Sequence, residues 1–259
     1  MGVAKNKNHF KNNNYFIFIP KINKIEPIEV DLNIKFEELL EISSQKEIVL
    51  KNTQNFLRDQ PSNNILLWGA KGMGKSTLIK CVVDYVNSKS RNHIKLVEVL
   101  NSNISNLIDI VYQLSKVQYK FVIYIDDISF KKDESDFRLF KTLIEGSLLS
   151  HVNNIKYYIT SNLRHLSHRA ELNVVNDLES KESNQNLISL SDRFGCWIGF
   201  HDSDQEQFLK IVKYYLKRFS IKYSKDIEKL ALRWTVEKGN FSGRTAEQFV
   251  KNIKINNIF

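Results

Sequence analysis

The chain has 259 residues, 42% hydrophobic and 26% charged, with nine Gly and three Pro; these proportions exclude disorder and collagen-like structure and favour long regular elements over a many-turned β-sandwich. Two cysteines, Cys81 and Cys196, cannot build a disulfide framework, no Cys/His cluster has zinc spacing, and no apolar run nears the ~20 residues that span a bilayer, so the chain reads as a reduced, cytoplasmic protein with no membrane partner. The net charge of +9 is uneven, with +3 in residues 1–30, +1 in 31–200 and +5 in 201–259, and it reads either as the solvated surface of a Lys- and Asn-rich chain or as the footprint of a polyanion such as nucleic acid.

The N-terminal stretch MGVAKNKNHFKNNN lacks the apolar core and cleavage site of a signal peptide. Asn6 stands where a myristoylation start requires Ser or Thr. Residues 1–30 read as a flexible N-terminal arm with one short edge strand, Tyr15–Ile19. Helical spacing follows from Phe36 to Leu57, with a break near Ser43 and Ser44 and a stop at Gln60-Pro61-Ser62. Short continuous apolar runs then alternate with helical stretches. The strands are Ile65–Trp68, Ile94–Leu100, Phe121–Ile125, Tyr157–Thr160 and Trp197–Phe200. The helices between them are Leu78–Val86, Ile104–Leu114 and Phe137–Leu149. Such alternation predicts a doubly wound parallel α/β sheet covered on both faces, over residues 31–200. Residues 171–189 are polar and aperiodic and read as a surface loop. The helical runs Gln205–Phe219, Asp226–Glu237 and Thr245–Ile253 predict a small helical lid domain over 201–259.

The turn after the first of these strands carries the chemistry. Gly69-Ala70-Lys71-Gly72-Met73-Gly74-Lys75-Ser76 fits G-x-x-x-x-G-K-[ST] between a strand and a helix. Glycines let the backbone N–H groups turn onto phosphate oxygens, and the helix start adds its positive dipole end. Lys75 neutralises the β/γ oxygens of ATP, and the Ser76 hydroxyl ligates Mg²⁺. The strand Phe121–Ile125 ends in Asp126 and Asp127. At a carboxyl end, both acids can face a nucleotide crevice. Asp126 would hold Mg²⁺ through water, and Asp127 would orient or deprotonate the attacking water. Asp127 stands where many ATPases of this kind carry Glu, so its carboxylate lies one methylene further back.

Three further residues read two ways. Asn162 is either a strand-end cap or a group that fixes the attacking water. Arg193 either pairs locally or serves a neighbouring subunit as an arginine finger. Arg244 is either a solvated helix-start residue or a cation reaching over the phosphates. A helix start is a poor place for a cation, which favours the second reading.

Taken in order, these elements resemble the AAA+ ATPases. On that resemblance Walker A is Gly69–Thr77, with Thr77 closing the cofactor-binding loop. Walker B is Ile123–Asp127, Asn162 is sensor 1, Arg193 the arginine finger and Arg244 sensor 2. Within the superfamily the chain is similar to a bacterial family of predicted ATPases catalogued as a domain of unknown function. The similarity is carried by FEELLEISSQKEIVLKNTQNFL, NNILLWGAKGMGKSTLIK, YIDDISF, LFKTLIEGSL, TSNLRHL, SLSDRFGCWIGF and SGRTAEQFV. The paired Asp-Asp is that family's normal form. The resemblance implies the AAA+ fold, ATP and Mg²⁺ as ligands, and a homo-oligomer as a ring or open ring. It implies no particular client. Hydrolysis would switch the lid angle and remodel an unidentified protein partner. The rival readings are a DNA-associated switch of the initiator or helicase-loader type, supported by the basic lid, and a small-molecule kinase using the same loop.

Overall fold

A computed structural model describes residues 9–128, 134–162 and 193–256. Seven strands form one sheet in the order β2-β1-β4-β5-β6-β3-β7. They are β1 (Tyr15–Ile19), β2 (Lys24–Pro27), β3 (Ile65–Gly69), β4 (Ile94–Glu98), β5 (Lys120–Ile125), β6 (Ile155–Ser161) and β7 (Cys196–Phe200). Every pairing is parallel except that of β1 with β2.

The apolar runs are strands because both faces of the sheet are covered. In β5, Phe121, Ile123 and Ile125 enter one core while Val122 and Tyr124 enter the other, and all five are fully buried. Helices α1 (Ser43–Leu57) and α2 (Lys75–Ser88) cover the Val122 face, contributing Val49, Phe56, Leu78 and Val82. Helices α3 (Leu107–Ser115) and α4 (Glu134–Lys141) cover the other, contributing Leu107, Ile110, Val111 and Phe140.

Helices α5 (Gln205–Arg218), α6 (Lys225–Lys238) and α7 (Gly243–Ile255) enclose a third core around Phe208, Leu216, Ala231 and Phe249. Each starts on a side-chain cap. Asp204 accepts from Gln207, Ser224 from Ile227 and Ser242 from Thr245. Gly239, with φ of +69°, closes α6.

Three expectations change. From residue 9 onward the N-terminal segment is no flexible arm. It is a hairpin that extends the sheet, with Phe10, Phe16 and Phe18 in the core and Lys24–Pro27 adding a strand that has too little apolar alternation to be read. The helix expected over Phe36–Leu57 is a 3₁₀ turn at Phe36–Glu38, then a left-handed Glu41 (φ +58°), and a helix only from Ser43. The helix expected over Phe137–Leu149 begins at Glu134 and passes into a π turn at Thr142–Gly146 and a 3₁₀ turn at Leu148–His151. The loop at 171–189 lies outside the described residues. No described helix is long and apolar enough to cross a membrane.

Among the side chains that join α1 to the sheet, Asn52 makes the most bonds. Asn52 bonds both backbone groups of Asn63, with its amide 2.9 Å from the carbonyl and its Oδ1 accepting from the N–H at 2.8 Å. The same amide donates to the buried Tyr158 hydroxyl at 3.2 Å. Asn52→Ala removes all three bonds just before β3. The expected loss of stability is about 1–3 kcal/mol, read as a lower urea midpoint at unchanged slope.

Candidate active site

The loop between β3 and α2 is fixed first by what it lacks. Gly69 has φ of +118°, and a Cβ there would sit 2.0 Å from the Phe200 carbonyl oxygen. That oxygen accepts the Ala70 N–H at 2.9 Å. The end of β7 therefore locks the start of the loop, and only glycine fits the contact. Gly72 and Gly74 are also left-handed, at +78° and +87°. The chain then enters α2 at Lys75, so the loop ends on a helix N-terminus, where phosphate is favoured.

The Lys75 ammonium is buried and donates to the carbonyls of Gly69 (2.8 Å) and Ala70 (2.7 Å). Burial lowers its pKa to about 8, against the opposing pull of Asp127 and Asp126 and with a further push from Arg244 and Lys71. Cations and carboxylates thus meet around one amine.

The acids are positioned by strand register. Ile125 pairs with Ile159, which brings Asp126 beside Thr160. One oxygen of Asp126, Oδ1, accepts from Thr160 Oγ1 and from Ser76 Oγ, each at 2.6 Å. Burial alone would raise the Asp126 carboxyl, but these hydrogen bonds prevail and hold it below the ordinary carboxylate range. Thr160 Oγ1 also accepts the Asp127 N–H at 2.8 Å. Asp127 is left-handed (φ +51°), a conformation that a short Asp tolerates better than most side chains. Ser76 and Asp126 form an oxygen-only donor pair that could hold Mg²⁺, a cation that takes one or two protein oxygens beside water and phosphate.

The helical domain closes over the loop. The Arg244 N–H donates to the Gly72 carbonyl at 3.3 Å. A Cβ on Gly72 would lie 2.6 Å from Ser242 Oγ and 3.1 Å from Arg244 Cβ. The resulting cavity of about 650 Å³ is lined by Lys71–Thr77, Asp126, Asp127, Asn162 and Arg244. Those sequence-selected residues are brought together; Gly69 and Ala70 support the loop from below.

Arg193 stands apart. Because Cys196 pairs with Ile65 and Phe200 with Gly69, Arg193 precedes the far end of β7, at least ~13 Å along the sheet from its own phosphate loop.

Sequence reasoning missed several wall residues. Thr160 was hidden until β5 and β6 were known to be neighbours. Residues 30–34, 38–40 and Ile42 form a strap along the cavity, whose lining also includes Ile211, Tyr214 and Tyr215 of α5. Arg218 of α5 donates to the Asn33 carbonyl, tying strap to helix. These contacts join segments far apart in sequence and leave no local motif.

A glycine-turned phosphate loop after β3, paired acids at the end of β5 two strands away and a small helical domain packed on the loop give a P-loop fold of the AAA+ type. The chain belongs to the family described as "Protein of unknown function (DUF815)", whose model matches residues 11–257. Solved structures with the same fold include RuvB of Thermotoga maritima, described as the Holliday junction branch migration motor (TM-score 0.56, 16% identity, 86% of this chain and 65% of that one). They also include the Aeropyrum pernix Orc1 protein in complex with DNA (TM-score 0.58, 15% identity, 82% and 61%). A third is the FIGL-1 AAA domain in complex with ADP (TM-score 0.56, 18% identity, 89% and 76%). The chain thus spans under two thirds of the RuvB and Orc1 chains. No curated protein matches.

Thr160 tests the geometry directly. Thr160→Val keeps the shape, removes one of two donors to Asp126 and leaves the Asp127 N–H without its acceptor. The Mg²⁺ concentration for half-maximal ATP hydrolysis should rise at least about threefold, with Thr160→Ser close to the natural chain, in a metal titration of phosphate release.

Proposed function

We propose that this chain is an AAA+ ATPase that binds and hydrolyses Mg-ATP and uses the cycle to remodel a protein partner. The observation that carries the reading is the shared oxygen of Asp126, which links the first turn of α2 to the ends of β5 and β6 at the mouth of the phosphate loop. Bound Mg²⁺, held by Ser76 and Asp126, would neutralise charge on the β- and γ-phosphates. Lys75 supplies a positive charge to the same oxygens, exchanging a loop carbonyl for phosphate. Asp127 accepts hydrogen bonds from the attacking water, and Asn162 orients it from the next strand. Arg244 adds a cation from α7, so lid position is linked to the phosphates. The strap and the tyrosines of α5 offer flat surface for a base.

Assembly into a homo-oligomer is part of this reading. Arg193 lies too far along the sheet to serve its own loop, so as a finger it must act on a neighbour's. Orc1 is a DNA complex in its solved structure, and residues 201–259 carry +5. A nucleic-acid-dependent switch is therefore the second reading. Phosphate release measured with and without DNA separates the two, since only the switch responds.

Lys75→Ala should weaken ATP binding at least tenfold, or about 1.4 kcal/mol, in calorimetry; undiminished affinity rejects the phosphate loop. Asp127→Asn keeps the size and removes the basicity, so ATP should still bind while turnover nearly stops.

A shared site has its own signature. Specific activity should rise with protein concentration. Mixing Arg193→Ala with Asp127→Asn subunits should restore part of the activity, because some interfaces then hold both intact groups. A trans arginine is worth ~10³–10⁵ in rate in phosphoryl transfer, so recovery stands well above background. A flat concentration dependence and no recovery reject the shared site and leave ATP binding untouched.

A further inference from the structure

At the opposite edge of the sheet from the phosphate loop lies a second cavity, of about 560 Å³. It opens among the N-terminal ends of β4, β5 and β6 and the turns that lead into them. Four cations line it, Lys11, Arg91, Lys95 and Lys120, against one acid, Asp59. The net charge of the basin, leaving His93 aside, is thus +3.

Lys95 is the informative residue. It lies within β4 and is only 2% exposed. Its ammonium donates to two neutral oxygens, Asn13 O at 2.7 Å and Asn14 Oδ1 at 2.9 Å, and stands 5.3 Å from the centre of the Tyr119 ring. Among the described residues no carboxylate pairs with it, and burial lowers its pKa. An ammonium carries three donors, so one remains for a further acceptor. A buried cation without an anion is costly. Among the described residues, the one acid of the basin is already engaged, since Asp59 pairs with Lys120.

Helix dipoles account for part of this charge. α1, α2 and α3 all end at this edge, and each C-terminus is worth roughly −0.5 of a charge. Together they offset about half of +3. Lys95 itself bonds residues 13 and 14, just past the short helical turn at residues 9–12, and caps none of these three helices.

We propose that this basin is a second anion site, separate from the ATP site, that takes a small polyphosphorylated ligand. The size favours a small molecule, since 560 Å³ lies within the range of ligand pockets. Arg91 and Lys11, both exposed at the rim, offer phosphate donors, and Arg91 can engage two oxygens at once. Lys95 supplies a fixed charge at the floor. A nucleic-acid backbone would need a continuous basic groove across the surface.

The experiment uses the full chain carrying Lys75→Ala, which disables the phosphate loop, with inorganic pyrophosphate as the probe in calorimetry. Binding at one site per chain is expected. Adding Arg91→Ala or Lys11→Ala, both at exposed positions, should weaken it at least about tenfold each. In the chain with Lys75 intact, the same rim variants should leave ATP affinity unchanged. No pyrophosphate binding to the Lys75→Ala chain overturns the proposal, as does binding that the rim variants do not alter. Binding of a single-stranded oligonucleotide that needs Arg91, with none of pyrophosphate, also overturns it and assigns the basin to nucleic acid. Lys95→Gln is measured beside them with its melting midpoint, so that loss of fold and loss of binding are told apart.

Discussion

One oxygen atom organises this site. Asp126 Oδ1 accepts a hydroxyl from the first turn of α2 and another from the end of β6, while the residue that bears it closes β5. Three elements with no covalent connection nearby are held at one point. The contact exists only because β6 lies between β3 and β5 in the sheet, so the crossover topology is a precondition of the chemistry. It also keeps the carboxylate ionised, because two donors stabilise the charged form against the burial that would protonate it.

The reach of sequence reasoning follows from this. Elements with a local signature were legible: the phosphate loop, the five parallel strands, and the three capped helices whose Asp204, Ser224 and Ser242 precede their apolar periodicity. The pairing of strands was not. Thr160 was therefore read as part of an apolar run, although its hydroxyl serves both acids. The hairpin of β1 and β2 was half legible. Tyr15–Ile19 has the alternation of an edge strand, but Phe10 reads as an isolated aromatic in an Asn-rich stretch. Only the packed core shows it against Phe16 and Phe121, at ring distances of 4.8 and 5.2 Å.

Helix boundaries failed where backbone conformation overrode periodicity. The helical spacing of apolar residues begins at Phe36 and breaks only near Ser43 and Ser44, yet Glu41 already takes a left-handed turn that a helix cannot contain. The consequence is useful to the site, because Glu38, Leu39, Leu40 and Ile42 become a wall of the cavity. The sheet thus carries different chemistry at its two edges. Its carboxyl edge presents a glycine loop and acids, and its amino edge presents lysines and amides around Lys95.

The contact between Gly72 and the start of α7 has a mechanical consequence. With 13 residues rising about 1.5 Å each, α7 is a rod of roughly 20 Å. One end rests on the Gly72 carbonyl, with Ser242 filling the space a side chain would need. The rest of the rod is embedded through Ala246, Phe249, Val250 and Ile253 in the packed helical core. A close-packed interior transmits strain instead of absorbing it. Gly72 thus has the place of a fulcrum: a tilt of about three degrees at that end of a rod of roughly 20 Å would carry the other end by about 1 Å.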